Sequence, residues 1–261
     1  MLDNVAHQAA GLAALGVNHG PRIAALVSHG DRQSELPLMW QLCTAWTALD
    51  YPVVVLDATI EENKNRPGLQ QLMADRDEFG RLCDSRENWL VVPAARGLME
   101  LRRLRDGSPA ETGSLRANQL STLFASHEVI LLYISADDLA QTLPACGLLP
   151  LLSVSTQEPA LLTAYHALKQ LLSNGKLRPT IVSVMDDQTP AARVSGHGVS
   201  RNLQECARDF LACEVPALTV CPTLPDDINR LALRTLDNAL QPRYWNTTQA
   251  PMLAATAPRN L

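Results

Sequence analysis

The sequence predicts an α/β fold, a doubly wound and mostly parallel sheet flanked by helices on both faces. Its apolar runs, such as Ile23–Val27 and Val53–Leu56, are short and nearly continuous. Continuous rather than alternating runs are typical of strands that are buried on both faces of a parallel sheet. Segments with helical spacing separate these runs almost throughout the chain, and this alternation is the pattern of βαβ units.

The individual elements follow from local signals. The segment Pro21–Asp57 is one βαβ unit, and its helix, Leu36–Leu49, ends before Tyr51-Pro52 because proline disfavours a helical residue ahead of it. Helix Pro159–Leu172 starts at a proline and is followed by Asn174-Gly175, which closes it. Further helices are predicted at Leu69–Leu82, Gly97–Arg105 (a helix or a turn), Ser114–Ser126, Val199–Leu211 and Asp226–Leu240, and further strands at Trp89–Val92, Glu128–Ile134, Leu148–Val154, Thr180–Met185 and Ala217–Cys221.

Length and composition suit one large α/β domain. The chain has 261 residues, 46% of them hydrophobic, which is enough to build a sizeable core. We assign residues 21–240 to this domain, residues 1–20 to an N-terminal partner-binding helix with its linker, and residues 241–261 to an irregular tail. The formal net charge of −5 and the pI of 5.7 argue against a nucleic-acid binder, which usually carries a basic face.

The cysteines, the arginines and the lengths of the apolar segments indicate the cellular compartment and the kinds of binding site to expect. The six cysteines form no C-x-x-C pair and no zinc-ligand spacing, so we expect reduced core residues. No window reaches about 18 consecutive apolar residues, the length of a membrane-spanning helix, and no signal peptide is indicated. This predicts a cytoplasmic protein. The arginine cluster is modest and diluted by acidic neighbours, which favours a solvated helix face; it comprises Arg96, Arg102, Arg103 and Arg105.

The loop after the first strand, Ser28–Glu35, has unusual chemistry for its place. In nucleotide-binding proteins of this layout, the first loop holds phosphates with glycine N–H groups, a lysine, and a serine or threonine for Mg²⁺. Here Gly30 is the one glycine and no lysine is present. The carboxylates of Asp31 and Glu35 would repel a triphosphate. This predicts a nucleotide-binding unit that has lost its phosphate chemistry; an acid–base pair of His29 and Asp31 is an alternative use of the loop.

Three stretches of the chain carry a family resemblance. Val54–Ala58 is similar to a second strand ending in Asp-Ala, and Ser155–Tyr165 is similar to a segment in which Glu-Pro opens a helix containing Asp-Ala-Tyr. Gln8–Leu12 is similar to an N-terminal Asp-Gln-Ala-x-Gly-Leu motif, with His7 in place of the aspartate. In these stretches the chain resembles the MinD/ParA family of deviant P-loop ATPases, and within it the flagellar-number regulators FlhG, also called FleN. The resemblance implies a P-loop NTPase-like fold.

The nucleotide motifs of that family are not intact. Tyr133 stands where the family places a Mg²⁺-linked aspartate, and Ser34 is the one hydroxyl available at the junction of loop and helix. Asp57 alone cannot organise Mg·ATP, because the metal needs phosphate oxygens that the loop already holds; it could instead cap the following turn. We therefore predict no catalytic residue, no metal site and no cofactor, with ATP and Mg²⁺ as an unfavoured alternative. The predicted vestigial nucleotide site comprises Gly30, Asp31, Arg32, Ser34, Asp57 and Tyr133.

The N-terminal segment is the predicted partner site. Gly11 inside a short helix costs about 1 kcal/mol relative to alanine, and a close backbone approach to a partner would account for it. The resemblance implies that the partner is an FlhF-like GTPase of the signal-recognition type. The contact residues would be His7, Gln8, Ala9, Gly11 and Leu12.

The resulting functional hypothesis is a non-hydrolytic regulator of flagellar placement or number that acts through protein contacts. Its contact with membranes would be weak or absent, since Leu231–Leu240 has only Arg230 and Arg234 as nearby cations. A partner could recruit it to the cell pole or to the inner membrane face. Two alternatives remain open: an active ATPase in which Arg32 replaces the lysine, and a pseudo-ATPase of another polar or envelope machine, such as cellulose secretion or pilus placement.

Overall fold

A computed structural model describes residues 20–74, 89–105, 107–185 and 189–242, with the backbone alone at 190–193. Seven strands form one parallel sheet in the order β3-β2-β4-β1-β5-β6-β7. This confirms the predicted doubly wound α/β fold. The strands are β1 (Arg22–Ser28), β2 (Val53–Asp57), β3 (Trp89–Pro93), β4 (Val129–Ser135), β5 (Leu151–Val154), β6 (Thr180–Val184) and β7 (Ala217–Val220).

The helices of the described residues cover both faces of this sheet. They are α1 (Arg32–Ala48), α2 (Leu69–Ala74), α3 (Ala95–Leu101), α4 (Pro109–Leu123), α5 (Ala136–Thr142), α6 (Glu158–Gln170), α7 (Pro190–Leu211) and α8 (Pro225–Asp237). Successive strand residues point to opposite faces. In β1, Ala24 and Leu26 therefore pack under α1 and α8, whereas Ile23, Ala25 and Val27 pack under the other helices.

The topology brings the ends of the central strands together. β1 pairs with β4 over its whole length, from Arg22 opposite Val129 to Ser28 opposite Ser135. β4 also pairs with β2, which places Asp57 opposite Tyr133. Open α/β sheets bind ligands beyond the carboxyl ends of their strands, where the strand order reverses. The carboxyl edge of β1, β4 and β2 is therefore the place to look for a site.

The two ends of the domain meet at the opposite edge. Backbone N–H and C=O groups of Ile23 and Leu240 form two hydrogen bonds of 2.9 Å in an antiparallel bridge. The segment before Gly20 and the segment after Pro242 consequently leave the domain close together, at the amino ends of the strands. The predicted N-terminal helix and most of the predicted tail lie outside the described residues.

Helix α4 begins five residues earlier than the predicted start at Ser114. Ser108 caps it, because its side chain accepts from the N–H of Glu111 while the Glu111 carboxylate accepts from the N–H of Ser108. Pro109 occupies the first helical position, where its missing N–H costs nothing. The glycine, serine and proline at 107–109 suggest a loop, but Ser108 starts a helix, and the Ser-x-x-Glu spacing is the capping-box signal for it.

Helix α7 likewise extends beyond the predicted Val199–Leu211, because it starts at Pro190. The segment Ser195–Ser200, with its glycines Gly196 and Gly198, lies inside the helix. A Cβ atom at Gly196 would come within 3.1–3.2 Å of atoms of Met185, Ser183 and Thr219. A side chain at residue 196 would require these neighbours to shift by a few tenths of an ångström, so glycine suits the close approach of α7 to the sheet despite its low helix propensity.

Side-chain burial corrects two further predictions. Cys43 and Cys221 are buried as expected, whereas Cys146, Cys206 and Cys213 are partly exposed; Cys83 lies outside the described ranges. Burial raises the pKa of the Cys43 thiol to about 12. Arg102 does not belong to a solvated face, since its Nη2 lies 2.6 Å from Oδ1 of Asp138. Within the described ranges, no helix has both the length and the apolar character needed to cross a membrane.

The core side of α1 provides a test of the fold. Trp46 is fully buried and donates from Nε1 to the carbonyl of Ala232 in α8 at 3.0 Å. We expect Trp46→Ala to lower the free energy of unfolding, measured in urea, by about 3–5 kcal/mol. The control is Trp40→Ala, because Trp40 is 58% exposed and makes only an edge contact with Trp89; its cost should be about 0.5–1.5 kcal/mol. Equal losses would contradict the assigned packing.

Candidate functional site

The loop between β1 and α1 is shorter than predicted, because α1 begins at Arg32 rather than Leu36. Gly30 has a φ of +98°, a backbone conformation that residues with a Cβ rarely adopt. Asp31 follows as the helix N-cap, and its carbonyl accepts from the N–H groups of Ser34 and Glu35 at 3.0 Å. The tight turn at Gly30 therefore folds the start of α1 back over the end of β1.

The Glu35 carboxylate fills this turn. Its Oε1 accepts from the backbone N–H of His29 at 2.8 Å and from that of Asp31 at 3.0 Å. Its Oε2 accepts from the hydroxyl of Tyr133 at 2.5 Å and lies 3.2 Å from the hydroxyl of Ser28. Glu35 is 0% exposed, and a buried carboxylate is stable only when it is hydrogen-bonded in this way.

Tyr133 reaches this carboxylate from the neighbouring strand β4. The pKa of its hydroxyl is raised, first by burial and then by the hydrogen bond to Glu35, with smaller contributions from the negative charges of Glu35 and Asp57. A hydroxyl with a raised pKa keeps its proton and remains a donor. Tyr133 therefore serves Glu35 as a neutral hydrogen-bond donor.

His29 joins the loop to β5 and α6. Its Nε2 lies 2.7 Å from the carbonyl oxygen of Ser153, and its Nδ1 lies 2.8 Å from Oγ1 of Thr163. A carbonyl can only accept, so Nε2 carries a proton. The same Nε2 is 3.8 Å from Oε1 of Glu35, and the His29 side chain is only 3% exposed. The ring is thus committed to structural partners and does not form the predicted pair with Asp31.

Asp31 and Ser34 make a second connection to β5. Oδ2 of Asp31 accepts from the backbone N–H of Ser155 at 2.7 Å and from the hydroxyl of Ser34 at 2.8 Å. Ser34 is buried, and its Oγ lies 3.2 Å from Oγ of Ser153. The loop is therefore held on both sides, by β4 through Tyr133 and by the β5–α6 connection through His29 and Asp31.

The predicted nucleotide-site residues lie at the carboxyl edge of the sheet, but they do not share one set of hydrogen-bond partners. Gly30, Asp31, Ser34 and Tyr133 all belong to the network around Glu35. Asp57 lies at the end of β2, where its Oδ1 accepts from the N–H and the hydroxyl of Thr59 at 2.8 and 2.6 Å, the geometry of a turn cap. Arg32 is exposed on the first turn of α1. The predicted partner residues, from His7 to Leu12, lie outside the described ranges.

Sequence reasoning identified this loop but missed the residues at its centre. In the sequence, Glu35 indicates only a charge that would repel phosphate, and Thr163 is only part of the family-like stretch Ser155–Tyr165. The Ser28-x-x-x-x-x-x-Glu35 spacing carries no recognised signal, because the contact depends on the turn at Gly30 and on a tyrosine almost one hundred residues away. In the described residues, no group of three or more His, Cys, Asp or Glu side chains is arranged to hold a metal ion.

Comparisons with known proteins agree with this architecture. No protein-family model and no curated protein matches the chain. Among solved structures, the chain is similar to cobyrinic acid a,c-diamide synthase from Mycobacterium smegmatis with bound ADP and magnesium, at a TM-score of 0.53 and 12% identity over 86% of this chain and 99% of that one. The chain therefore shares the fold of that enzyme, a parallel α/β sheet with helices on both faces.

Two further structures extend the comparison. A plasmid partition protein from Borrelia burgdorferi is similar at a TM-score of 0.50 and 10% identity, over 84% of this chain and 97% of that one. A MinC:MinD cell division protein complex from Aquifex aeolicus is similar at a TM-score of 0.48 and 14% identity, over 83% and 93%. At such low identities, the likeness to the enzyme and to the partition protein shows the fold alone.

The Tyr133 hydroxyl predicts a specific pH dependence. Tyr133→Phe removes a hydrogen bond to a buried carboxylate, and below pH 9 it should lower the free energy of unfolding by about 1.5–3 kcal/mol. Above the unfolded-state tyrosine pKa of about 10, the unfolded chain loses a phenolic proton that the folded protein retains. The stabilisation by Tyr133 must then decrease as the pH rises.

Urea unfolding of both proteins from pH 8 to pH 11 measures this effect. The difference in the free energy of unfolding between wild type and Tyr133→Phe should narrow above about pH 10. A difference that stays constant or widens up to pH 11 would contradict the buried, protonated Tyr133.

Proposed function

We propose that the chain is a non-hydrolytic, FlhG-like regulator of flagellar placement or number that acts through protein contacts, with an FlhF-like GTPase as its partner. The observation that carries the proposal is the Glu35 carboxylate, which occupies the β1–α1 loop as an anion of the protein's own. The N-terminal resemblance at Gln8–Leu12 supplies the identity of the partner.

The proposal rests first on competition for backbone N–H groups. In nucleotide-binding loops of this type, N–H groups at the start of the helix bind phosphate oxygens. Here the N–H groups of His29 and Asp31 donate to Glu35. A phosphate would have to displace a fully buried carboxylate, and each hydrogen bond to such a charged group contributes about 1.5–3 kcal/mol. The loop therefore does not fit the nucleotide that the fold family implies.

The mycobacterial enzyme gives a useful contrast. That protein was solved with ADP and magnesium, so a sheet of this type is compatible with a bound nucleotide. The proposed difference lies in the side chains of the loop, where Glu35 and Tyr133 replace an external anion with an internal one. Loss of turnover then requires no change in the sheet or its helices.

A second line of support is the distance between the loop and the N-terminal segment. The segment enters the domain at Gly20, next to the bridge between Ile23 and Leu240. β1 has seven residues, and at about 3.3 Å per residue it separates this edge from the loop by about 23 Å. The chain thus enters the domain at the edge opposite the Glu35 network, and we propose that binding of a partner to residues 1–20 needs no nucleotide.

The closed loop predicts the response to nucleotides. We expect calorimetry of the wild-type protein with Mg·ATP and Mg·ADP to give no binding heat, and thermal unfolding to give no shift. A ligand at 100 times its dissociation constant would stabilise the fold by about 2.7 kcal/mol, which a melting curve detects. Glu35→Ala, which vacates the N–H groups, should gain a thermal shift with sulfate that the wild type and the shape-preserving Glu35→Gln lack.

Micromolar binding of Mg·ATP by the wild type would overturn this part of the proposal. It would favour the alternative of an active ATPase that uses Arg32, and Arg32→Ala in a hydrolysis assay would then test that alternative. Neither outcome depends on which protein the N-terminal segment binds.

The N-terminal motif predicts a separable effect on the partner. Gln8→Ala and Leu12→Asp should each weaken capture of the FlhF-type GTPase at least about tenfold, as expected for central contact residues, and should remove any stimulation of its GTPase rate. Asn18→Ala, in the same segment but outside the motif, serves as the control. Unchanged capture by the two variants would contradict the partner assignment, and capture of a cellulose-secretion or pilus component instead would favour the second alternative.

A further inference from the structure

The outward side of α1 is apolar and almost free of charge. Of the 17 residues of this helix, only Arg32 and Glu35 are charged, and Glu35 is buried. Surface helices normally carry charged residues on the side that faces water, and a helix that is apolar all round is normally buried. The outward side of α1 therefore has the composition of a contact surface. Its exposed residues recur at helical spacing, and they are Arg32, Gln33, Leu36, Pro37, Trp40, Thr44 and Ala48.

The edge strand β3 widens this surface. The Trp40 side chain is 58% exposed, and its ring packs edge-on against the ring of Trp89, with 5.0 Å between the centroids. Val91 follows two residues after Trp89, so its side chain points to the same side of the sheet, and it is also exposed. We call the surface formed by Leu36, Pro37, Trp40 and Val91 the α1 face. Neighbouring exposed apolar side chains of this kind mark interaction sites.

The N-terminal segment enters the domain next to this helix. The guanidinium of Arg22, at the start of β1, lies 5.9 Å from the ring centroid of Tyr51, which follows the C-terminal end of α1. From that end, α1 leads back to the carboxyl edge over about 26 Å, at about 1.5 Å per residue. Residues 16–20 span up to about 17 Å when extended, and a helix over residues 4–15 spans about 18 Å. Residues 1–20 are therefore long enough to follow α1 over its whole length.

The charges of the segment complement those of α1. Asp3 is the one Asp, Glu, Lys or Arg among residues 1–20, and a helix predicted from about Asn4 to Leu15 would place it at the end remote from the linker. That end would lie toward the carboxyl edge, where α1 starts at Arg32. Arg32 is exposed and forms no ion pair with any of the described residues. The carboxylate of Asp31 beside it already accepts two hydrogen bonds in the loop network.

Two other segments outside the described ranges fit this face less well. Residues 75–88 directly precede β3, but they include five acidic residues and three arginines, and an uncharged face offers these charges no partners. Residues 243–261 include two arginines and no Asp or Glu, so they bring no side-chain carboxylate to Arg32. Pro251 and Pro258 would also interrupt a helix there. The nearly uncharged N-terminal segment is the best match in composition.

We propose that the α1 face is the docking surface of the chain's own N-terminal segment, residues 1–20. An isolated helix as short as the predicted one is marginal in water, so it gains stability on an apolar surface. Small residues in its apolar stripe allow two helix axes to come close, and the large side chain of Trp40 would fill the space that they leave. The stripe comprises Val5, Ala9, Leu12 and Ala13.

The docked segment would compete with a partner. This consequence rests on the proposed function, in which Ala9 and Leu12 also contact the GTPase. A partner could then bind only the undocked fraction of the chain, and its apparent dissociation constant would be the intrinsic value divided by that fraction. The α1 face would thus regulate partner binding without a nucleotide.

The test uses the full chain with the photo-crosslinker p-benzoyl-phenylalanine in place of Trp40. Irradiation should give crosslinks within one chain, and mass spectrometry should map them to residues 1–20. The same group in place of Thr44, which is exposed one turn further along α1, should give the same result. The matched control carries it in place of Phe210, an aromatic residue of α7 that is exposed on the other side of the sheet; this chain should give no crosslink to residues 1–20.

A change in the segment provides the second arm of the test. Leu12→Asp would place a charge against Trp40 and should lower the yield of these crosslinks at least about fivefold, since a buried charge without a partner is costly. Asn18→Ala, in the predicted linker, should leave the yield unchanged.

Each other outcome overturns the proposal. Crosslinks to residues 75–88 or 243–261 would show that one of those segments covers the face, and crosslinked dimers would show that a second copy does. An absence of crosslinks, equal crosslinks from position 210, or a yield that Leu12→Asp leaves unchanged would show that residues 1–20 do not pack on α1. The partner is tested separately by the capture experiment, so either proposal can fail without the other.

Discussion

The constraint on which this structure depends is the burial of one carboxylate. A buried anion must be surrounded by hydrogen-bond donors, and Glu35 accepts from two backbone N–H groups and two hydroxyls, which come from residues 28–31 and from Tyr133. The turn at Gly30 aligns the N–H groups, and β4 contributes Tyr133. The β1–α1 loop is therefore ordered by an internal ion, which in a nucleotide-binding relative of this fold would have to arrive from solution.

The same electrostatic requirement applies to a second buried charge. Arg116 is 4% exposed, and its guanidinium donates to the carbonyls of Leu104, Gln141, Thr142 and Arg102. At the carboxyl edge of β1 an anion is held by N–H and O–H donors, and at Arg116 a cation is held by carbonyl acceptors. In both places the chain supplies the hydrogen-bond partners that a buried charge requires.

Features that depend on local interactions could be predicted from the sequence, whereas features that depend on contacts between distant segments could not. The continuous apolar runs of the strands and the alternation of strands with helices are local signals, and they predicted the correct fold class. The capping box at Ser108 is also local and was overlooked because Pro109 suggested a loop. The roles of Glu35, Gly196 and Arg116 could not be predicted from the sequence, because they depend on contacts with segments that are distant along the chain. The sequence does not distinguish a buried carboxylate or a closely packed helical glycine from a solvent-exposed one.

The proposed function follows from the replacement of an exchangeable ligand by a side chain. A nucleotide that held such a loop could dissociate, and its loss would release the loop. A carboxylate attached to α1 cannot dissociate, so its hold on the loop is not reset by the loss of a ligand. Under the proposed function, regulation would then enter elsewhere, either where the chain enters and leaves the domain beside the Ile23–Leu240 bridge or through the Arg102–Asp138–Ser135 connection to the end of β4. The second route is the more direct, because it ends one strand position from the loop that Glu35 holds closed.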